Sequence, residues 1–239
     1  MPIKLGVNID HVATLRQARG AGYPSIESAA DMALKNGGDF IVAHLRGDRR
    51  HMQDEDIKLL AGKLGKKLHL EMACTAEMEK IALKYKPGSV CLVPEKKSEL
   101  TTNGGLVLTG KQGAEVARMA ARLIKKGIGV SLFIEPNPDT LRLAHKMGVT
   151  AVEFCTKAYA ESPNRKVMAE RLEELAVCSL MARELGLEAH AGHGLDYDNV
   201  VPVAGIADIA ALNIGFSIIA RALGTGLPSA VREIKELIS

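Results

Sequence analysis

An eightfold alternation of short apolar runs with longer helical patterns is the feature that most constrains the fold of this chain. The runs are rich in Val, Ile and Leu, as buried parallel strands are, and they cover residues 3–9, 40–44, 68–72, 89–93, 128–134, 151–155, 187–191 and 209–214. Helical patterns lie at residues 25–36, 54–64, 75–84, 112–125, 138–146, 165–185 and 227–238. Each unit has about 30 residues, the size of one strand–helix crossover.

Glycines separate the helical patterns from the runs that follow. Gly37, Gly65, Gly127, Gly148 and Gly186 each come after a helical pattern, where C-terminal caps are found. Eight parallel repeats fit a closed barrel better than an open doubly wound sheet, which usually has fewer strands. We therefore predict an α/β fold in which residues 1–239 form a single (β/α)₈ TIM barrel domain, with its active site at the C-terminal ends of the strands.

Composition and charge exclude several classes of partner. Aromatic residues make up 3% of the chain and Trp is absent, which disfavours a nucleic-acid surface built on base stacking. The formal net charge is only +3, with acids and bases interleaved, and the apolar stretch at 200–220 is too broken to span a membrane. Four cysteines without paired spacing, and no signal-peptide pattern, indicate a cytoplasmic protein. We expect no nucleic-acid or membrane partner.

Polar side chains at the predicted strand ends are the candidates for chemistry. Of the histidines, His11, His44 and His193 lie at strand ends, and Glu71 lies near the end of the third run. Glu135, Glu153 and Thr156 occupy similar positions. A single histidine at such a site is usually structural, but three converging with a carboxylate favour repeated proton transfer, because imidazole and an enclosed carboxyl group titrate near neutral pH.

Two further histidines lie within predicted strands. His69 precedes Glu71 by two residues and therefore shares its face, at a level of a barrel that is normally packed, which favours a structural role. His190 and His193 resemble a pair of metal ligands only in spacing. No metal-binding motif such as H-E-x-x-H accompanies them, so we predict no metal site.

Three segments at the same end of the predicted barrel have features of anion sites. The basic loop at residues 44–51, which contains Arg46, binds a phosphate or is a solvated surface. Arg16 and Arg19 extend this positive rim or belong to a surface helix. After the eighth run, Gly215 begins a helical pattern whose N–H groups face the same end. The long segment at 94–110 is a lid or an ordinary surface loop.

Nine motifs in order give the chain a specific resemblance. They are LGVNIDH at 5–11, HLR at 44–46, DRRH at 48–51, EMA at 71–73, LVPEK at 92–96, TT at 101–102, VSLFI at 130–134, AGHGL at 191–195 and LNIG at 212–215. Together they make the whole chain similar to the pyridoxine 5′-phosphate synthase family. Two positions depart from the familiar pattern: Phe216 replaces a frequent His, and Cys155-Thr156-Lys157 stands where His-Thr-Gly is usual.

The resemblance implies a function and a set of site residues. It implies condensation of 3-amino-2-oxopropyl phosphate with 1-deoxy-D-xylulose 5-phosphate in the cytosol, without a cofactor, by a homo-octamer. His44 and Glu71 match proton acceptors, and His193 matches a proton donor. The positions that match aminoketone-phosphate binding are Asn8, Arg19, Gly194, Gly215 and Phe216, and those that match deoxyxylulose-phosphate binding are Asp10, His11, Arg46, His51 and Thr101.

Two alternatives remain open from the residues alone. A phosphosugar isomerase or aldolase on the same barrel would use Glu71 as its base and His44 or His193 as its electrophile, and would turn over one substrate alone. A barrel that only binds sugar phosphates would need no proton-transfer groups. An assay that supplies both phosphorylated substrates and measures the formation of pyridoxine 5′-phosphate distinguishes the synthase from these two alternatives.

Overall fold

Eight parallel strands close into one barrel in the computed structural model, which describes residues 2–95 and 104–239. Each strand pairs with its neighbours in sequence, and the last pairs with the first. The predicted TIM barrel is therefore confirmed. The strands are β1 (Lys4–Asn8), β2 (Phe40–Leu45), β3 (Leu68–Ala73), β4 (Ser89–Val93), β5 (Gly129–Ile134), β6 (Ala151–Cys155), β7 (Glu188–Gly192) and β8 (Ile209–Ile214).

Helices follow the strands around the outside of the barrel. They are α1 (Asp10–Arg19), α2 (Ile26–Lys35), α3 (Asp54–Leu64), α4 (Ala76–Tyr85), α5 (Gly110–Lys125), α6 (Pro138–Lys146), α7 (Lys157–Ala160), α8 (Arg165–Glu184), α9 (Val200–Ala204), α10 (Phe216–Thr225) and α11 (Leu227–Leu237), with a 3-10 turn at Gly65–Lys67. Within residues 2–95 and 104–239, no helix combines the length and the apolar character that crossing a membrane requires.

The glycines that separate the repeats adopt the conformation expected of helix ends. Gly37, Gly65, Gly127, Gly148 and Gly186 all have positive φ, between 53° and 116°. A residue with a Cβ rarely adopts this conformation, so glycine at these positions lets each chain segment leave its helix and turn toward the next strand. The pattern read from the sequence is confirmed at all five positions.

The apolar core lies between the strands and the helices, and polar groups occupy the inside of the barrel. Leu5, Ile41 and Leu70 face the helices and are fully buried in the large apolar cluster. Because side chains alternate along a strand, their neighbours point inward. A side chain at Gly6 would collide with Asn213 and the Phe40 ring, which places all three positions inside. This division frees the inner strand positions for chemistry.

Candidate active site

A cavity of about 840 Å³ opens at the C-terminal ends of the strands. This volume is within the range of small-molecule sites. All the site residues predicted from the sequence line it, except Arg19 and Thr101. Arg19 is exposed at the end of α1, and Thr101 lies outside the described residues. Because all the strands end at the same end of the barrel, side chains that are up to about 200 residues apart in the sequence meet there.

A hydrogen-bonded turn joins the ends of β1 and β2. Asn8 Nδ2 donates to Asp10 Oδ2 (2.9 Å), and the Asp10 N–H donates to Asn8 Oδ1 (2.9 Å). Asp10 Oδ1 in turn accepts from the backbone N–H of His44 (2.8 Å). Burial raises the pKa of Asp10 to about 7, against the opposing effect of these hydrogen bonds. Asp10 thus fixes the position of His44 and holds a proton up to near-neutral pH.

His44 and Glu71 lie opposite each other on adjacent strands. The register of β2 against β3 pairs them, and His44 Nδ1 is 3.9 Å from Glu71 Oε2. Burial lowers the pKa of His44 to about 3, with His51 and Arg46 contributing. Burial also raises the pKa of Glu71 well above its usual value, helped by the charges of Glu153 and Asp10. A neutral imidazole therefore faces a carboxyl group that holds a proton more strongly than usual, an arrangement suited to general acid–base chemistry.

Glu153 is a buried carboxyl group below this pair. Its Oε2 accepts from Asn213 Nδ2 (2.7 Å), and Gly192 leaves room for it, because a Cβ there would collide with Glu153 Oε1. Burial raises the pKa of Glu153, while His190 and Asn213 oppose the rise. The sequence marked Glu153 as a strand-end polar residue but assigned it no role. Its signal was an acidic residue inside an otherwise apolar strand.

His193 directly follows β7 in a strained turn. It has φ 84°, as does Gly194, and a Cβ at Gly194 would come within 2.8 Å of the Ala160 side chain. Thr156 Oγ1 lies 2.8 Å from the Gly192 carbonyl oxygen and 2.6 Å from that of His193, which holds the turn. Burial lowers the pKa of His193, and the charge of Lys157 adds to this. Left-handed backbone in a residue other than glycine is typical of functional sites.

The basic loop after β2 contacts an acidic residue that follows β4. Glu95 accepts from the Gly47 N–H (3.1 Å to Oε2), and Glu95 Oε1 is 3.4 Å from Arg46 Nε. Arg46 is buried, with 3% of its side chain exposed. Arg50 pairs with Asp48 within the loop. Arg46 therefore lies inward, whereas Gly47 and Asp48 at the tip of the loop are exposed. The contact with Glu95 was not predicted from the sequence.

His51 is oriented by the backbone and by α1. The Met52 N–H donates to His51 Nδ1 (2.9 Å), so the neutral ring carries its proton on Nε2. Burial lowers the pKa of His51 to about 4, with His11 and Arg46 contributing. Arg16 binds both carboxylate oxygens of Asp56 (2.6 and 2.7 Å) and also contacts the His51 carbonyl group. Arg16 thus anchors the loop and leaves His51 as a neutral donor toward the cavity.

The start of α10 lines the cavity next to the end of β1. A Cβ at Gly215 would come within 2.8 Å of Asn8 Cβ, so β1 and the helix start approach closely only because residue 215 is glycine. The first N–H groups of a helix have no partner within it and attract anions. The Phe216 ring is 71% exposed and meets His11 edge to face at 5.3 Å. Burial lowers the pKa of His11.

A second cavity of about 240 Å³ lies at the opposite end of the barrel and is lined by His69 and His190. His69 Nδ1 contacts Ser89 Oγ at 2.6 Å. This contact is remote from the cavity at the C-terminal ends of the strands, which we call the upper cavity. Within the described residues, Asp10, His44 and His51 form one group of metal-ligand type, and His69, Cys91 and Glu153 form another. The carboxylates in these two groups already accept hydrogen bonds. Asp10 accepts from Asn8 and from the His44 backbone N–H, and Glu153 accepts from Asn213.

Comparisons with known proteins identify relatives over the whole length. The sequence model of the family described as "Pyridoxal phosphate biosynthesis protein PdxJ" matches residues 5–239. A pyridoxine 5′-phosphate synthase of Elusimicrobium minutum is 54% identical and covers 100% of this chain and 98% of its own. One from Caulobacter vibrioides (strain NA1000 / CB15N) is 49% identical, over 100% and 96% of the two chains.

Similar solved structures are more distant in sequence. A 4-hydroxy-2-oxoglutarate aldolase/2-deydro-3-deoxyphosphogluconate aldolase from TTHB1 has a TM-score of 0.64 at 16% identity, covering 98% of this chain and 94% of its own. A phosphoribosyl anthranilate isomerase has a TM-score of 0.58 at 12% identity, covering 99% and 98%. At such identities these likenesses support the barrel fold alone.

Proposed function

Because the chain belongs to the family of pyridoxal phosphate biosynthesis protein PdxJ, we propose that it closes the pyridine ring of vitamin B6. It is an enzyme of the pyridoxine 5′-phosphate synthase type. The proposed substrates are 3-amino-2-oxopropyl phosphate and 1-deoxy-D-xylulose 5-phosphate, and the products are pyridoxine 5′-phosphate, phosphate and water. The observation that carries this proposal is the buried His44–Glu71 pair in a cavity of a size for small phosphorylated substrates.

Proton transfer is assigned to three side chains. Ring closure requires protons to be removed from carbon and nitrogen and supplied to departing water and phosphate. His44 and Glu71 are the proposed proton acceptors, since His44 is a neutral imidazole and the raised pKa of Glu71 makes its carboxylate a stronger base than an ordinary one. His193 is the proposed donor, on the far side of the same cavity. The partly enclosed site also limits water around the imine intermediates.

The aminoketone phosphate is proposed to bind at the start of α10. Gly215 and Phe216 offer backbone N–H groups there, Gly194 faces them from the turn after β7, and Asn8 lies at the end of β1. These groups line one side of the cavity, which supports a shared anion site. Arg19, which the resemblance also assigns to this phosphate, is exposed outside the cavity lining, so its role stays a prediction.

The deoxyxylulose phosphate is proposed to bind at the basic loop. Arg46 supplies a buried guanidinium, and His51 supplies a neutral Nε2–H donor. Asp10 and His11 lie beside them and are proposed to bind the sugar hydroxyl and carbonyl groups. Thr101 completes the set in the resemblance and lies outside the described residues. We propose no cofactor, since acid–base catalysis accounts for the condensation.

We further propose that the chain is one domain acting in the cytoplasm as a homo-octamer. Exposed apolar side chains support an association between copies: Leu223 is 76% exposed, Val177 54% and Val201 49%. Light scattering should give a mass eight times that of the 25.5 kDa chain. The mass of a monomer at micromolar concentration would refute the octamer.

The function is tested by incubating the purified protein with both phosphates. Pyridoxine 5′-phosphate should form, followed by its absorbance, with one inorganic phosphate released for each product molecule. Omitting either substrate should stop the reaction. Turnover of one phosphate alone would instead support the isomerase or aldolase alternative, and binding without turnover would support a barrel that only binds.

A further inference from the structure

His44 lies between two carboxyl groups, one facing each ring nitrogen. Nδ1 is 3.9 Å from Glu71 Oε2, and Nε2 is 3.7 Å from Glu95 Oε1. Among the described residues Nε2 has no hydrogen-bond partner, although it is buried. A buried ring nitrogen normally has a partner. The Glu95 carboxylate lies across this gap, so a small movement of either side chain would give Nε2 a hydrogen bond.

Glu95 lies outside the cavity lining and is held beside an exposed part of the basic loop. Its carboxylate accepts from the Gly47 N–H and lies beside the Arg46 guanidinium. His44 is the least exposed of the three side chains, at 7%, against 16% for Glu71, which lines the cavity, and 13% for Glu95, which lies beside the exposed Gly47. Glu71, His44 and Glu95 thus form a row that begins at the cavity, passes through the His44 ring and ends beside an exposed part of the basic loop.

We propose that Glu95 is the outer member of a proton relay, Glu71–His44–Glu95, which connects the enclosed site with solvent. This proposal rests on the proposed function, since it assigns a route for protons that the condensation releases and takes up. Glu95 follows β4, and His44 and Glu71 are on β2 and β3. Three consecutive strands therefore supply the three groups.

The proton step is balanced without any further reactant. Neutral His44 accepts the Glu71 proton at Nδ1 and releases its Nε2 proton to Glu95, which exchanges it with water. One N–H bond forms and one breaks, so the ring remains neutral and changes tautomer. A stage of the reaction that needs a proton runs the transfer in reverse and restores the first tautomer. The separations of 3.7 and 3.9 Å must shorten in the substrate complex, as catalytic hydrogen bonds commonly do.

Glu135 provides a matched comparison. It follows β5 as Glu95 follows β4, and its Oε1 accepts from the Gly105 N–H (2.9 Å) just as Glu95 accepts from Gly47. Neither residue lines the upper cavity, but among the described contacts Glu135 has no histidine partner, whereas Glu95 faces His44. A residue that merely anchors a loop should behave like Glu135, and a relay member should not.

The test compares the variants Glu95→Gln, Glu95→Ala and Glu135→Ala with the wild type in the two-substrate assay. In Glu95→Gln the amide oxygen still accepts from Gly47, so the variant should fold normally and its KM should stay within about twofold of the wild-type value. Loss of the ionisable group should lower kcat about tenfold or more. Added acetate or formate should restore part of kcat in Glu95→Ala, because a small carboxylate can enter beside the exposed Gly47. Glu135→Ala should show no such rescue.

The possible outcomes separate the relay from the proposed function. Absence of product with the wild-type enzyme would refute the proposed function itself. With an active wild type, an unchanged kcat in Glu95→Gln would overturn the relay. A raised KM in Glu95→Ala that acetate does not improve would assign Glu95 to loop anchoring and also overturn it. If Glu95→Ala is unstable, a solvent deuterium isotope effect on kcat that is larger in Glu95→Gln than in the wild type supports the relay, and an unchanged effect overturns it.

Discussion

At the scale of single residues, burial decides which groups carry protons. The pKa of His44 falls to about 3 and that of His51 to about 4, so both rings are neutral at physiological pH. The pKa of Asp10 rises to about 7. Neutral histidines beside carboxyl groups with raised pKa values reduce the cost of burying separate charges. The same arrangement leaves each group able to exchange a proton during turnover.

Removing the ionisable group of Glu71 tests whether its carboxyl group transfers protons during catalysis. Glu71→Gln keeps the shape of the side chain, so the variant should fold normally. Its rate of pyridoxine 5′-phosphate formation should fall roughly a hundredfold or more, the scale of general acid–base catalysis. Steady-state assays with circular dichroism as the folding control measure both. Near-normal turnover in the folded variant would contradict the assignment.

Replacing Arg46 tests the assignment of the basic loop. Arg46→Ala should weaken binding of the deoxyxylulose phosphate by about 2–5 kcal/mol, because a buried phosphate loses a charge-assisted partner. Binding of the aminoketone phosphate should change little, and calorimetric titration with each ligand measures the difference. Arg142→Ala is the control, since Arg142 is an exposed residue paired with Asp139. Equal losses for both ligands would show that Arg46 does not distinguish them.

Strand position was enough to predict which candidate residues come together, but not the tertiary contacts that they make. The meeting of His44, Glu71 and His193 at one cavity was predictable, because parallel strand ends lie at one end of a barrel. Glu95 was not, because its contact with Gly47 joins residues 48 positions apart. The Glu153–Asn213 hydrogen bond spans 60 positions. Pairs of this kind follow from strand register, which periodicity alone does not define.

At the scale of secondary-structure elements, periodicity located the long helices better than the short ones. The predicted segment 54–64 coincides with α3, and 138–146 coincides with α6. The sequence analysis gave no helix for α7 and α9, which have four and five residues, since one turn shows no repeat. It also left α1 open as a possible surface helix, because α1 begins inside the polar motif that ends β1. These three helices are defined by their burial and their contacts with strands rather than by a helical repeat in the sequence.

The start of α10 can be tested by comparing two neighbouring positions. If backbone N–H groups bind the aminoketone phosphate, Phe216→His should change its affinity by less than about 1 kcal/mol, because the side chain is not the donor. Gly215→Ala should weaken binding at least tenfold, since the new Cβ would come within 2.8 Å of Asn8 Cβ and displace the helix start. Calorimetry with a stable analogue measures both. A large gain in Phe216→His with normal binding in Gly215→Ala would assign the site to side chains.

At the scale of the whole molecule, eight repeats and their glycines were enough to predict a closed barrel. The predicted strand bounds differ from the observed ones by at most a residue at either end. The polar interior was less predictable. His69, Glu153 and Asn213 are buried inside the barrel, where apolar layers are usual. Only closure of the sheet brings these residues together.

A buried neutral histidine links the stability of the fold to pH. Burial and the neighbouring His190 lower the pKa of His69 to about 3. Between pH 6.5 and about 3 the unfolded chain binds a proton at this position and the folded chain does not. Stability should therefore fall with decreasing pH in this window, by up to about 1.4 kcal/mol per pH unit from this group. Above pH 6.5 the contribution is constant.

The variant His69→Asn isolates this contribution, because asparagine remains able to hydrogen-bond Ser89 but does not titrate. Urea unfolding at pH 7.5 and pH 5 should show a smaller loss of stability for the variant than for the wild type. His145→Asn is the control, since His145 lies on the outer helix α6. Equal losses for wild type and His69→Asn would mean that His69 is not held neutral in the fold.

If ring closure takes place in the upper cavity beside His44 and Glu71, a crystal structure with pyridoxine 5′-phosphate and inorganic phosphate should show the product there. We expect the pyridine ring to lie within hydrogen-bonding reach of Glu71 or His44. One phosphate should lie at the start of α10 by Gly215. Product bound elsewhere, or a cavity that stays empty at saturating product, would contradict the claim.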